Sequence, residues 1–311
     1  MSNQIAGLHH ITAIAGSAKG NLDFYTQVLG LRLLKKTVNF DDPGTYHLYY
    51  GDERGSAGTI LTFFPYQGAR RGSAGAGMAT NIAYAVPAGS FDFWIDRFQK
   101  HHVSFSKPSE KFGEPYLPFQ DPDGLRLELV VPGNPDNRKV WETAEVKTDV
   151  ATKGFHGVTL TLRNVKPTAA VLTDIFGYRL LEQSANRYRY ITDVVETAAI
   201  IDLVELPNEA RVLGGAGTNH HIAFRVKNEE ILMHFHEKVE RSGLSITNKI
   251  DRNYFYSLYF REPGGVLFEI ATDNPGFGID EPWDKLGSSL LLPPQYESSR
   301  ADIEAILPKL N

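Results

Sequence analysis

An α+β fold of four βαβββ modules is predicted by three features of this sequence. Four short β-type runs recur along the chain: GLHHITAIAG (7–16), GMATNIAYAV (77–86), GFHGVTLTLR (154–163) and GTNHHIAFRV (217–226). Their starts lie 70, 77 and 63 residues apart, the size of one strand–helix–strands unit. Each is followed by a helix-period segment and then by further β-type runs. Two of those later runs match closely, YLPFQDPDGLRLELVV (116–131) and SLYFREPGGVLFEIAT (257–272), and both read as strand, tight Pro/Gly turn, strand.

The elements follow in order. The first strand alternates apolar positions. The first helix runs through NLDFYTQVLG, with Leu22, Tyr25, Val28 and Leu29 on one face and Gly30 as its stop. The second carries Phe91, Trp94, Ile95 and Phe98 after Ser90, a candidate N-cap. A third opens at Pro167, shows Val171, Leu172, Ile175 and Phe176, and stops at Gly177. The fourth carries Leu232, Phe235 and Val239 and ends near Gly243. Residues 132–153 are polar and turn-rich and read as a linker; GARRGSAGAG (68–77) reads as a flexible connector without the Lys-Ser/Thr ending of a phosphate loop. The tail, 273–311, lies outside the repeat, and SSRADIEAILPKL in it reads as a short closing helix.

Composition narrows the chemistry. The 311 residues include 42% hydrophobic and 22% charged side chains, which excludes disordered and fibrous classes. A net charge of −5 with no basic stripe gives nucleic-acid binding no support. No apolar run reaches membrane-spanning length and no signal peptide is legible, so a cytoplasmic location is expected. There is no cysteine, which removes disulfides, thiolate metal sites and thiol nucleophiles together. Histidine, carboxylate, arginine and tyrosine must carry any reaction.

The ordered series LHHIT (8–12), YHLYYGD (46–52), GTILTFFP (58–65), NHHIAF (219–224) and DRNYFYSLYFREPGGVLFE (251–269) resembles the vicinal-oxygen-chelate superfamily, which includes glyoxalases and extradiol dioxygenases. The likeness is nearest to the hydroquinone-type ring-cleaving dioxygenases and covers almost the whole chain. It implies modules paired into two domains, 1–131 and 154–272, each with a curved, open-barrel mixed sheet.

In the repeat alignment the first-strand ligand position of that family is held by His10, Asn81, Gly157 and His221 in module order. The last-strand position is held by Thr62, Glu128, Asp202 and Glu269. Modules one and four therefore offer His10, His221 and Glu269 as metal ligands, and modules two and three offer no histidine. Two imidazoles and a carboxylate beside open positions describe the ferrous facial triad. Glyoxalase I enzymes place a second glutamate where this chain has Thr62, so the resemblance favours an Fe(II) oxygenase; Mn, Zn or Ni are the alternative metals. Glu128 is equally accounted for by a buried salt bridge, for example to Arg126 or another arginine. His101, His102, His234 and His236 fall on or after surface helices and read as solvated.

Successive strand side chains face opposite ways, so His9 and His10 cannot both ligate one metal in a regular strand, and a twist or bulge is needed to bring His9 and His220 to the site. By resemblance, Arg252 and Tyr259 line the substrate pocket. His220 is the candidate acid–base group because histidine titrates near neutrality, and His9, with Thr12 on the face of His10, is expected to adjoin the substrate. Phe224, Tyr256 and Tyr259 are available as aromatic walls. The implied reaction is O2-dependent cleavage of a hydroquinone-type or related phenolic ring, and the family often pairs subunits, so a homodimer is expected. A glyoxalase-type metal-dependent lyase or isomerase, and a non-catalytic binding protein on the same fold, are the other readings.

Overall fold

The computed structural model describes residues 3–310 and carries the four predicted modules in order. Module one comprises β1 (Leu8–Ala15), α1 (Ala18–Asp23), β2 (Arg32–Asn39), β3 (Asp42–Gly51) and β4 (Ile60–Pro65). Module two comprises β5 (Met78–Ala85), α2 (Phe91–Lys100), β6 (Ser109–Lys111), β7 (Glu114–Gln120) and β8 (Arg126–Val130). Module three has β9 (Phe155–Leu162), α3 (Lys166–Ala170), β10 (Arg179–Ser184), β11 (Arg187–Ile191) and β12 (Ile200–Glu205). Module four has β13 (Thr218–Val226), α4 (Glu229–Arg241), β14 (Ile250–Asp251), β15 (Phe255–Arg261) and β16 (Leu267–Pro275).

Helices α1 and α3 each continue as a π turn, Phe24–Val28 and Val171–Ile175, where Leu29 N–H reaches Phe24 O and Phe176 N–H reaches Val171 O. Asn228 caps α4 by accepting from Ile231 N–H at 3.1 Å. Ser90 does not cap α2: its hydroxyl donates to Pro87 O at 2.7 Å instead, a local bond that competes with the cap. The closing helix, α5, is Arg300–Ile306.

The strands form two curved, open half-barrel sheets of eight. One runs β14-β15-β16-β13-β1-β4-β3-β2 and the other β10-β11-β12-β9-β5-β8-β7-β6. Module one is thus joined to module four through antiparallel β1 and β13, and module two to module three through β5 and β9. This corrects the grouping expected from chain order, in which 1–131 and 154–272 would each close one sheet. The halves are sequence repeats, but each sheet takes one module from either side of 132–153. Local periodicity specifies strands and not which module's first strand they meet, so chain order was a poor guide.

The chain crosses between sheets twice, and the two crossings are stitched together. Ser73 and Leu213 exchange backbone hydrogen bonds at 2.9 and 3.1 Å, and Gly72 N–H reaches Ala216 O at 2.9 Å. The segment expected to be flexible is therefore paired with residues 210–216. Its glycines permit the approach: a Cβ on Gly72 would stand 2.6 Å from Leu213 O, and one on Gly75 2.5 Å from Ala210 O. The linker is also pinned, with Trp94 Nε1 donating to Val150 O at 2.9 Å and Arg97 paired to Glu145 at 2.7 Å.

A continuous apolar core lies under the helices, including Trp94, Phe98, Phe176, Phe224 and Phe268. The tail covers the free edge of β2, where Leu291 N–H donates to Lys36 O, and it supplies Asp280 and Glu281 to the fully buried Lys35 at 2.5 and 3.1 Å. No helix among the described residues is long and apolar enough to cross a membrane.

Candidate metal centre

His10 lies on β1, His221 on β13 and Glu269 on β16, three strands that neighbour one another in the first sheet. Both histidine pairs sit at β-bulges. The β1–β13 register slips between Leu8 and His10, leaving His9 as the extra residue, and again between Thr12 and Ala13, where His220 is the extra residue on the facing strand. The bulge brings the two rings of each pair into contact, which regular alternation forbids. His9 Nδ1 then lies 2.9 Å from His10 Nδ1, and His220 Nδ1 lies 2.8 Å from His221 Nδ1.

The opposite ring nitrogens converge. Glu269 Oε2 is 3.2 Å from His10 Nε2 and 2.9 Å from His221 Nε2, and the two Nε2 atoms are 3.3 Å apart. Neighbouring ligands at about 2.1 Å from one ion lie about 3 Å apart, so the spacing suits a shared cation. Glu269 Oε2 is buried and makes no properly directed hydrogen bond, while Ser257 Oγ donates to Oε1. A fully buried carboxylate oxygen without a donor is costly unless a cation completes it. These residues fit a divalent metal with oxygen and imidazole ligands.

The electrostatics agree. Burial opposes ionisation of Glu269, but the facing His10 and His221 hold its carboxyl well below the usual range. Burial and the neighbouring His10 depress His9 to about 3. His220 stands where solvent still reaches it, yet lost hydration on its inner side and the adjacent His221 pull it down to about 4. Neutral outer histidines can accept the Nδ1 protons of His10 and His221, an arrangement that leaves each Nε2 available as a ligand.

The centre opens on a cavity of about 440 Å³ walled by His10, His221, His220, Arg252 and Tyr259, with Phe40, Phe64, Phe255 and Leu267 as apolar surface. Arg252 Nε donates to Tyr259 OH at 3.2 Å, and its Nη1 is 3.4 Å from Asp41. Burial and the nearby Glu269 raise the Tyr259 hydroxyl far above its ordinary value, against the opposing pull of Arg252, so it keeps its proton.

Of the residues expected at the site, His10, His221, Glu269, His220, Arg252 and Tyr259 are brought together. His9 and Thr12 are not on the cavity wall. His9 is buried behind His10 against Phe255, and Thr12 Oγ1 is bonded to Thr62 Oγ1 at 2.8 Å. The bulge that brings His9 to His10 also sets it on the side away from the opening. Phe224 belongs to the core beside Phe268, and Tyr256 faces Lys249; neither walls the cavity, because strand alternation turns them elsewhere. Among the histidines read as solvated, His102 and His234 are exposed and His101 and His236 half-buried.

Sequence reasoning missed His47 and Tyr49. His47 Nε2 bonds Thr62 Oγ1 at 2.9 Å and its Nδ1 bonds Tyr49 OH at 2.9 Å, and both side chains line the cavity. Their i, i+2 spacing on β3 was the available signal. Thr62 thus sits in a hydrogen-bonded chain with Thr12 and His47.

The second sheet closes the equivalent place with ion pairs. Asn81 Nδ2 donates to Glu128 Oε1 at 3.0 Å, and Lys111 binds the other Glu128 oxygen. The partner is therefore Lys111 and not an arginine; Arg126 on the same strand is exposed. Asp202 is held by Arg189 at 2.8 Å and Arg187 at 3.2 Å.

Comparisons with known proteins agree with this architecture. The family model of the Glyoxalase/Bleomycin resistance protein/Dioxygenase superfamily matches residues 7–129 and 154–270. The chain is 46% identical over 306 residues to the "Putative ring-cleaving dioxygenase MhqO" of Bacillus subtilis (strain 168), covering 98% of this chain and 96% of that protein. It is 34% identical to the chlorohydroquinone/hydroquinone 1,2-dioxygenase of Sphingobium indicum, covering 97% and 96%. A solved structure from Bacillus subtilis superposes with a TM-score of 0.95 at 45% identity, covering 100% of this chain and 99% of that one. Glyoxalase I from Zea mays shares the fold alone, at a TM-score of 0.63 and 14% identity over 86% of this chain and 92% of its own. With four modules, two half-barrels and one complete His-His-Glu set, the chain belongs to the glyoxalase/bleomycin resistance protein/dioxygenase superfamily.

Proposed function

We propose that the protein is a non-haem Fe(II)-dependent dioxygenase that opens a hydroquinone-type phenolic ring. The observation that carries this reading is a three-ligand face, His10, His221 and Glu269, opening on an aromatic-walled cavity, with Thr62 at the module-one position equivalent to Glu269. The names of the relatives support the same reaction class. Bound at these residues, a ferrous ion supplies the electron exchange between phenolate and dioxygen that the two lack when they meet directly.

The chain's own groups do the rest. The cavity volume and its phenylalanines hold a substituted benzene ring and exclude water. Arg252 places positive charge where a ring oxygen loses its proton. Because Arg252 Nε donates to Tyr259 OH, the tyrosine proton is free to point to that ring oxygen. With its Nδ1 turned to His221, His220 presents its Nε2–H to the cavity as a hydrogen-bond donor to an oxygen that gains negative charge there. Cleavage breaks the bond between a hydroxyl-bearing carbon and its neighbour. Both atoms of dioxygen enter the product, as part of a new carboxyl group and a new aldehyde.

The test is oxygen uptake by anaerobically purified, Fe(II)-loaded protein given methylhydroquinone or catechol. One dioxygen consumed per ring lost, and none with Glu269→Ala, is the expected result. Metal retained at full occupancy with no uptake on any hydroquinone overturns the reading.

A further inference from the structure

The metal centre has a second side. Behind His220, His221 and Leu267, which wall the cavity described above, lies another of about 160 Å³ between the two sheets. That second cavity shares Gly77, Val212 and Arg261 with a third, of about 480 Å³, which opens at the surface. Three cavities therefore stand in file from the ligands outward, separated by side chains common to each pair.

The two ends of the file differ in charge. On the front wall the one cationic side chain among the described residues is Arg252, and Asp41 and Tyr259 already engage it. That wall suits an uncharged phenol. The outer cavity is lined by Arg163, Arg211 and Arg261, and no carboxylate among the described residues lines it. None of the three forms an ion pair among the described residues; Arg163 and Arg261 spend single N–H groups on the carbonyls of Glu209 and Gly265. Three guanidiniums around one concavity attract and hold a carboxylate.

We infer that this file is a passage from the metal centre, and that its arginine mouth binds the carboxylate of an open-chain acid on its way out. The inference rests on the ring-cleaving reading, since ring opening turns a neutral phenol into a carboxylate that leaves as an anion. The product acquires its charge beside His220 and is drawn away from Glu269 and Asp41 toward the guanidiniums. Ring and acid thus use different ends, and the front cavity is free for the next ring before the acid has left the protein. Val212 is half-buried and lines both outer cavities, so a larger side chain there would stand between them.

The experiment uses the metal-loaded protein and cis,cis-muconate, a stable open-chain dicarboxylate, titrated by calorimetry. Muconate is expected to bind the wild type and to bind the Arg163→Gln/Arg211→Gln/Arg261→Gln variant at least tenfold more weakly. Val212→Trp is expected to lower kcat at least fivefold while leaving KM for the ring unchanged. Equal muconate affinity in wild type and triple variant overturns the inference, as does Val212→Trp turning over at the wild-type rate. The three arginines are exposed, so the triple variant keeps its fold and circular dichroism checks that it has. Arginine-dependent muconate binding in a protein that consumes no oxygen with any phenol upholds the anion site and removes the ring-cleaving reading. Unchanged product inhibition in an active triple variant does the reverse.

Discussion

At the scale of single residues, the centre depends on groups that touch no substrate. Ser257 donates to Glu269 Oε1 and leaves Oε2 aimed at the two Nε2 atoms. Ser257→Ala is expected to weaken metal binding about 10–100-fold, measured by competition with a chromogenic chelator, with the fold intact. His10→Ala or His221→Ala is expected to lose metal and oxygen uptake together; full activity after either change removes the assignment. Tyr259→Phe is expected to keep its metal and lose about 10²-fold in kcat, measured by oxygen uptake, the usual cost of a missing hydrogen-bond donor to developing charge. The candidate ligands His10 and His221 were legible because equivalent positions of two repeats carry the same imidazole. His47 was not, since no repeat partner marks it: it becomes visible only when β4 brings Thr62 beside it. The hydroxyl partner of Thr12 was not legible for a related reason, because Thr62 lies 50 residues away on a neighbouring strand.

At the scale of elements, bulges and ion pairs decide which sheet holds a site. The slips at His9 and His220 re-aim whole side chains, and period-two reasoning could state the conflict without locating the bend. In the second sheet Glu114 takes both His156, at 2.9 Å, and Arg189. Burial pushes the Glu114 carboxyl up, but the His156 hydrogen bond and the Arg189 charge outweigh it and bring the pKa from 4.5 down to about 2. Its folded value is depressed, so its contribution is fully present above pH 4.5 and is lost as pH falls toward 2. Glu114→Gln is therefore expected to flatten that part of the stability–pH curve in urea melts taken across the window. A wild-type slope in the variant contradicts the assignment. The helices were readable from apolar spacing and glycine stops. The Ser90 cap was not, because the hydroxyl had a nearer acceptor in Pro87 O.

At the scale of the whole molecule, the tail and the crossings hold the two half-barrels in place. Lys35 is 0% exposed and depends on Asp280 and Glu281 from outside the repeat. Asp280→Ala/Glu281→Ala strands that charge and is expected to cost about 3–5 kcal/mol, read from the denaturation midpoint. Fold class, module count and element order were all legible in the repeat. Which modules share a sheet was not, because strand pairing across the linker is a tertiary choice that no local pattern records.

The pairing of the first module with the last has a consequence in time. His10 and His221 are 211 residues apart in the chain. At synthesis rates of roughly 5–20 residues per second, the first ligand waits on the order of 10–40 seconds for the second, and Glu269 follows later still. Modules two and three are contiguous and can close their ion-paired sheet meanwhile, leaving β1 exposed until β13 arrives. A half-made chain therefore has no candidate metal centre, which is assembled only as the fold is completed.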